Sequence, residues 1–190
     1  MNWFITNIET LTTIVLALNV FLCACNNKWN WPIGLVGVTM YGMSAWFLWG
    51  LYADALLQIF YLLTGIIGWW YWVKGNQGTE APVTNITWTQ VSLIVLIVSF
   101  GTLAIGNLLD CKTDSVVPYM DAYTTIICLV AQILLMLRKR QAWILWVMAN
   151  VVYVYMFHIK GLDQLAILYV AFIGNAAFGF WKWSRDMVKK

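Results

Sequence analysis

The sequence predicts an all-α membrane protein with seven transmembrane helices. Of its 190 residues, 62% are hydrophobic and only 10% are charged, whereas a soluble domain carries roughly 25% charged residues. The apolar residues form long runs separated by short polar breaks, and about 20 helical residues cross a hydrocarbon core. These runs lack the alternation that strands of a transmembrane β-barrel show over about ten residues.

Seven segments are long enough to cross a bilayer, and Pro32 lies near the start of the second, where a proline suits a first helical turn. In chain order the segments are 8–26, 30–50, 53–74, 88–109, 119–138, 141–159 and 162–183. The breaks between the second and third and between the sixth and seventh are very short, which predicts two antiparallel helical hairpins. The polar stretch 74–85, KGNQGTEAPVTN, is predicted to be a linker.

The distribution of basic residues predicts the orientation of the chain. With the N-terminus outside, nine of the eleven lysines and arginines lie on the cytoplasmic side and two, Lys112 and Lys160, lie outside. Cytoplasmic loops of membrane proteins carry such an excess. We therefore expect an N-out, C-in topology.

Two parts of the sequence resemble each other at an offset of 111 residues. The offset aligns Gly50-Leu51 with Gly161-Leu162 and Gly68 with Gly179, and it also aligns Trp70 with Trp181 and Trp72 with Trp183. This predicts a first three-helix repeat at 1–74, a linker with the fourth transmembrane helix at 75–110, and a second repeat at 111–190. Because the fourth helix restores the orientation, the arrangement is 3+1+3, with parallel repeats related by an axis along the membrane normal. Chance similarity between tryptophan-rich helix ends is the alternative.

Two helical faces combine amide and aromatic side chains. Residues three, four and seven apart share one face of a helix, which in the sixth segment groups Trp143, Trp146, Asn150 and Tyr153. The matching face of the third segment consists of Asp54, Gln58, Tyr61 and Gly65.

The two mid-span amides, Gln58 and Asn150, should face the interior of the bundle, because an unpaired amide in lipid costs several kcal/mol. One interpretation is that they link helices by hydrogen bonds. The other is that they bind a ligand, and it is favoured because packing interfaces in membranes prefer small residues. Rings that stack and amides that orient suit a flat polar molecule, and a tryptophan face also attracts a delocalised cation. We predict that the two faces line one cavity.

Several kinds of function are disfavoured. No Lys or Arg lies mid-span, so a phosphate would find no partner, and no acid lies clearly at the midplane to relay ions. The four cysteines show no metal-site spacing, and no phosphate-binding GxxxxGK[ST] motif is present, which predicts downhill transport. An embedded enzyme would need a nucleophile or a metal set, so we predict no catalytic residues, no metal and no cofactor. A structural subunit without cargo remains an alternative.

The sequence resembles the PnuC-type bacterial vitamin transporters along essentially its whole length. The likeness lies in WPIGLVGVTMYG, LYADALLQIFYLLTGIIGWWYW, PYMDAYTTIICLVAQILLMLRKR and WILWVMANVV. The pattern W-x-x-W-x-x-x-N at Trp143, Trp146 and Asn150 resembles the binding signature of the family, and LQIFY, with Gln58 and Tyr61, resembles its partner.

The resemblance implies a SWEET-like 3+1+3 fold in the bacterial inner membrane, often as a homotrimer. It implies facilitated diffusion of an unphosphorylated vitamin, which a cytoplasmic kinase traps. Members of the family carry nicotinamide riboside, and relatives carry thiamine or riboflavin. The signature asparagine resembles the nicotinamide riboside branch, and QAW before the signature departs from the acidic-Asn-Trp sequence of many relatives. Thiamine is also a flat cation and fits the same pattern.

Overall fold

The structure, a computed structural model, describes residues 2–50 and 52–188, and side chains from Asn7 onward except those at 52–54. In these residues the chain forms seven α-helices, as the sequence predicts: α1 (Asn2–Ala24), α2 (Asn30–Ser44), α3 (Tyr52–Lys74), α4 (Trp88–Lys112), α5 (Pro118–Met136), α6 (Ala142–Ile159) and α7 (Asp163–Val188). Six of them are long and apolar enough to span a membrane. The exception, α2, continues as a π-helical turn over Ala45–Trp49.

The chain divides into two compact units. Unit 1 comprises the described residues of Met1–Pro82 together with Met136–Arg138, and unit 2 comprises those of Val83–Leu135 and Lys139–Lys190. This division assigns α4 and α5 to the same unit as α6 and α7.

Unit 1 contains α1 to α3, which approach closely at glycines. A Cβ at Gly34 would lie 2.5 Å from the Asn19 side chain, whose amide donates to the backbone oxygen of Asn30 over 2.6 Å. A Cβ at Gly68 would lie 2.5 Å from the Trp31 indole. The same indole meets Trp72 edge-on, with ring centroids 5.4 Å apart and planes at 86°. Small residues let transmembrane helices pack at this distance.

Arg138 completes unit 1 from far along the sequence. Its side chain is only 3% exposed and its guanidinium lies 4.6 Å from the centre of the Trp72 ring. It donates to Oδ1 of Asn26 from Nε and Nη2, over 3.1 and 2.9 Å, and also to the backbone oxygen of Ala81. Glu80 lies 3.3 Å away and supplies a counter-charge. A buried guanidinium needs such hydrogen bonds and a charge partner.

In unit 2, α4 begins with a capping box in which Thr87 and Gln90 each bind the other's backbone N–H. α4 packs on α5 where Gly101 meets Ile126, and the Tyr119 hydroxyl donates to Asn107 over 2.9 Å. α5 and α6 share a small core of Ile127, Cys128 and Ala149.

The α6–α7 hairpin repeats the contacts that join α2 to α3. A Cβ at Gly179 would lie 2.6 Å from the Trp143 indole. Trp143 also meets Trp183 edge-on, with centroids 5.5 Å apart and planes at 90°. The glycines that end α2 and α6, Gly50 and Gly161, have φ values of 67° and 71°, a conformation in which glycine pays no steric penalty. Leu51, which follows Gly50, lies outside the described residues.

Candidate functional site

The predicted α6 face consists of one fully packed tryptophan, one half-buried tryptophan, a buried amide and a tyrosine. Trp143 is 3% exposed and Asn150 is 5% exposed, while Trp146 and Tyr153 are half-buried. All four belong to unit 2. α6 reaches this position because its neighbouring face, with Ala149, packs on α5.

Asn150 is a buried polar group with no hydrogen-bond partner among the residues that the structure describes. Among the side chains that the structure describes, none forms a hydrogen bond with its amide. A buried amide is expected to be paired, since leaving it unpaired in an apolar environment costs several kcal/mol. The donors and the acceptor of the Asn150 amide are therefore not used within the described part of the chain.

The two tryptophans of this face differ in their surroundings. Trp143 is enclosed by Gly179 and Trp183, although its indole Nε1 is buried with no hydrogen-bond partner in the described part of the chain. Trp146 packs on the core of Ile127, Cys128 and Ala149 and is half-buried. The Trp146 ring is therefore only partly covered, and it lies one helical turn from Asn150.

Tyr153 ends the face and begins an aromatic cluster. It packs against the core of Ile127, Cys128 and Ala149. Its ring is stacked on Phe157, with centroids 5.8 Å apart, and lies 4.7 Å from Tyr169 of α7. Phe172 meets Tyr169 edge-on at 5.5 Å. These contacts fix the tyrosine ring, and the two α7 aromatics are members of the site that the sequence analysis did not single out.

The predicted α3 face lies in unit 1. Gln58 packs against Gly42 of α2, where an added Cβ would lie 3.2 Å from the Gln58 side chain. Tyr61 meets Phe60 edge-on at 5.6 Å, and both Gln58 and Tyr61 have further interactions within the protein. The Asp54 side chain lies outside the described residues. That this face and the α6 face line one cavity stays a prediction.

Ionisable groups lie towards the helix ends. His158 and Asp163 form an exposed pair, 2.9 Å apart, where α6 gives way to α7, and Lys160 lies 3.4 Å from Asp121 at the start of α5. Within the residues described here, no three His, Cys, Asp or Glu side chains come together as a metal site would require.

Comparisons with known proteins agree with the architecture. A sequence profile of the nicotinamide mononucleotide transporter family matches residues 6–185. The chain belongs to this family. The predicted resemblance is thereby confirmed, as is the prediction of a multi-pass membrane transporter rather than an enzyme.

Relatives in the family include proteins with named cargo. The nicotinamide riboside transporter PnuC of Escherichia coli is 28% identical over 203 residues, covering 93% of this chain and 84% of its own. PnuC of Neisseria mucosa is 24% identical, with 98% and 76% covered. The riboflavin/roseoflavin transporter RibM of Streptomyces davaonensis is 25% identical, with 93% and 81% covered.

A solved structure of a family member supports the fold. The crystal structure of the vitamin B3 transporter PnuC matches with a TM-score of 0.69 and 24% identity, covering 98% of this chain and 86% of the other. At this identity the likeness concerns the fold alone.

Proposed function

We propose that this protein carries nicotinamide riboside by facilitated diffusion across the bacterial inner membrane, where a cytoplasmic kinase then traps it by phosphorylation. The observation that carries the proposal is the buried Asn150 amide, which has no partner among the described side chains and lies one turn from the half-buried ring of Trp146. The pyridinium ring suits stacking on tryptophan, and an amide suits the carboxamide or ribose. Relatives named for this cargo, such as the Escherichia coli protein, support the choice.

The cargo is proposed to be unphosphorylated even though the family carries the name of a mononucleotide. Within the described helices, Lys and Arg occur only near the carboxyl ends: Lys74 and Lys112 lie in the last turns of α3 and α4, and Lys182 and Arg185 lie in the last two turns of α7. A phosphate transferred into an apolar span without a cation would lose its hydration uncompensated. A riboside avoids this cost.

We assign substrate binding to Gln58, Tyr61, Trp143, Trp146, Asn150 and Tyr153. Trp146 supplies a stacking surface and Asn150 a hydrogen bond, while Trp143 and Tyr153 hold the α6 face in shape through their packing. Gln58 and Tyr61 take part from unit 1. Riboflavin, the cargo named for RibM, and thiamine are the competing flat substrates.

The finer architecture is also proposed. The equivalent Trp–Gly contacts of α2–α3 and α6–α7 support a SWEET-like 3+1+3 arrangement of parallel repeats at 1–74 and 111–190, joined by 75–110. The excess of basic residues on one side supports an N-out, C-in topology. α4 exposes large apolar side chains such as Phe100 and Leu96, which suits contact with lipid or with other copies in a homotrimer.

Flux into proteoliposomes without any ion gradient tests the function. Saturable uptake of labelled nicotinamide riboside is expected, with little uptake of nicotinamide mononucleotide, riboflavin or thiamine. Asn150→Leu keeps the side-chain size and should lower riboside affinity about tenfold or more, because a buried hydrogen bond to the cargo is lost. Saturable flux of another vitamin with none of the riboside would contradict the proposal.

A further inference from the structure

A further amide, besides Gln58 and Asn150, lies in the middle of a transmembrane helix. Asn175 is close to the centre of α7 (Asp163–Val188) and is half-buried. Like Asn150, its amide has no hydrogen bond to any side chain or backbone group that the structure describes. An amide in lipid normally finds a partner, because an unsatisfied polar group there costs several kcal/mol.

Asn175 lies at the same depth as Asn150. α6 and α7 run antiparallel, with Trp143 against Gly179 and Trp183, and Tyr153 against Tyr169. The residue numbers of these opposing pairs add up to between 322 and 326, so the level of Asn150 on α7 falls between residues 172 and 176. Asn175 is within that range.

Asn175 also lies beside the surface of α7 that faces α6. It comes three residues after Phe172, which packs on Tyr169, and four before Gly179, which packs on Trp143. Side chains at these spacings are neighbours on a helix. The amide therefore flanks the aromatic contacts between α6 and α7 instead of lying on the opposite side of the helix.

Neither amide is needed to build a hairpin of this kind. In α2–α3, where the same Trp–Gly contact recurs, Val38 takes the place of Asn150, counted from Trp31 and Trp143. Thr64 takes the place of Asn175, counted from Gly68 and Gly179. Thr64 satisfies its own hydroxyl by donating to Phe60 and Tyr61 oxygens over 2.9 and 3.1 Å. The α2–α3 hairpin therefore packs with a valine and a threonine at these positions, so the packing of α6–α7 does not require the two amides.

We infer that Asn175 binds the same substrate molecule as Asn150. The inference rests on the proposed function and adds a second specificity-determining residue to that site. A riboside offers two polar groups separated by a flat ring, a carboxamide and a set of ribose hydroxyls. Two amides at one depth on neighbouring helices can each hold one of these groups.

Binding of nicotinamide riboside to the purified full-length protein, by isothermal titration calorimetry, tests the inference. Asn175→Leu removes the amide at similar size, Asn175→Thr installs the residue of the other hairpin, and the adjacent Gly174→Ala, where a Cβ meets nothing within 4 Å, is the control. Both Asn175 variants should raise the Kd about tenfold, and Gly174→Ala should leave it unchanged. An unchanged Kd in Asn175→Leu would show that the inference is wrong.

Two substrate analogues separate a direct contact from an indirect effect. One is the N-ribosylpyridinium cation without the carboxamide, and the other is the 2′-deoxyriboside. If Asn175 binds one of the missing groups, the penalty of Asn175→Leu should shrink for that analogue, as in a double-mutant cycle. If Asn175→Leu weakens binding of both analogues as much as it weakens binding of nicotinamide riboside, direct contact is refuted. If neither variant gives folded protein, Asn175 is a structural residue and the inference fails.

Riboside binding by the wild-type protein distinguishes failure of the proposed function from failure of the inference. Wild-type protein that binds no riboside overturns the proposed function and the inference with it. Wild-type protein that binds, with variants that bind equally well, overturns the inference alone.

Discussion

Trp143 and Trp31 show how a single residue type serves packing at two places. Each indole covers a glycine of the next helix and meets a second tryptophan edge-on, at 5.5 and 5.4 Å. Edge-to-face pairs add about 0.5–1.5 kcal/mol beyond area burial. Since these contacts enclose Trp143, the half-buried Trp146 is the more accessible tryptophan of this face.

The glycine beneath Trp143 should not tolerate a larger residue. Gly179→Ala should lower the midpoint of thermal unfolding in detergent, because the added methyl would lie 2.6 Å from a rigid indole and overpacking costs about 1–3 kcal/mol. Gly174→Ala in the same helix should leave the midpoint unchanged or raise it, since alanine gains up to about 1 kcal/mol of helix propensity. Equal midpoints for the two variants would contradict the packing role of Trp143.

The face shared by the α6 residues could be predicted from the sequence, but the burial of each side chain could not. The spacing of Trp143, Trp146, Asn150 and Tyr153 places them on one face, and Asn150 is buried as an interior amide requires. Spacing alone did not separate an enclosed tryptophan from a half-buried one, since that depends on a glycine thirty-six residues away at Gly179. Asn175 was visible in FIGNAAFGF, but its depth relative to Asn150 follows only from the helix pairing.

At the scale of elements, the π-helical turn at Ala45–Trp49 has a simple origin. Trp31 and Gly50 are nineteen positions apart, whereas Trp143 and Gly161 are eighteen apart. One extra residue in an α-helix is accommodated by a π-type turn, so both helices present the tryptophan and end in a left-handed glycine. The helix boundaries were predicted to within a few residues in most cases, but this turn was missed because apolar composition does not report helical pitch.

This origin predicts the effect of deletions. Removal of Phe47, which is 75% exposed within the π turn, should convert α2 into a regular helix of the length found in α6 and be tolerated. α6 has no such turn to absorb a deletion. Removal of Val151 should therefore rotate the residues that follow it by about 100° and break the Tyr153–Tyr169 contact. Yield of monodisperse protein on size-exclusion chromatography measures both. Two equally damaging deletions would rule out this account of the turn.

At the scale of the whole molecule, the topology can be tested with a native residue. Cys111 is exposed in the last turn of α4, while Cys23 and Cys128 are buried and Cys25 is half-buried. The proposed N-out topology places Cys111 outside. A membrane-impermeant maleimide should therefore label intact spheroplasts, and Cys111→Ser should remove most of that labelling. Labelling only after permeabilisation would indicate the opposite orientation.

The loop charges were predicted to report topology, and the structure gives one of them a second role. Arg138 belongs to the run Arg138-Lys139-Arg140, which the sequence marks only as cytoplasmic. Its burial against Trp72, Asn26 and Ala81 could not be read from the run, because those partners lie 57 to 112 residues earlier. Long-range polar contacts of this kind leave no local pattern.

This arginine has a consequence for biosynthesis. Unit 1 includes residues up to Pro82 and then Met136–Arg138, so its final side chain leaves the ribosome only after α4 and α5 have been made. Until then Asn26 and the backbone oxygen of Ala81 lack the donor that later joins them. During membrane insertion, unit 1 is therefore incomplete until Arg138 has been synthesised. Chains truncated before Arg138 should be degraded by membrane proteases.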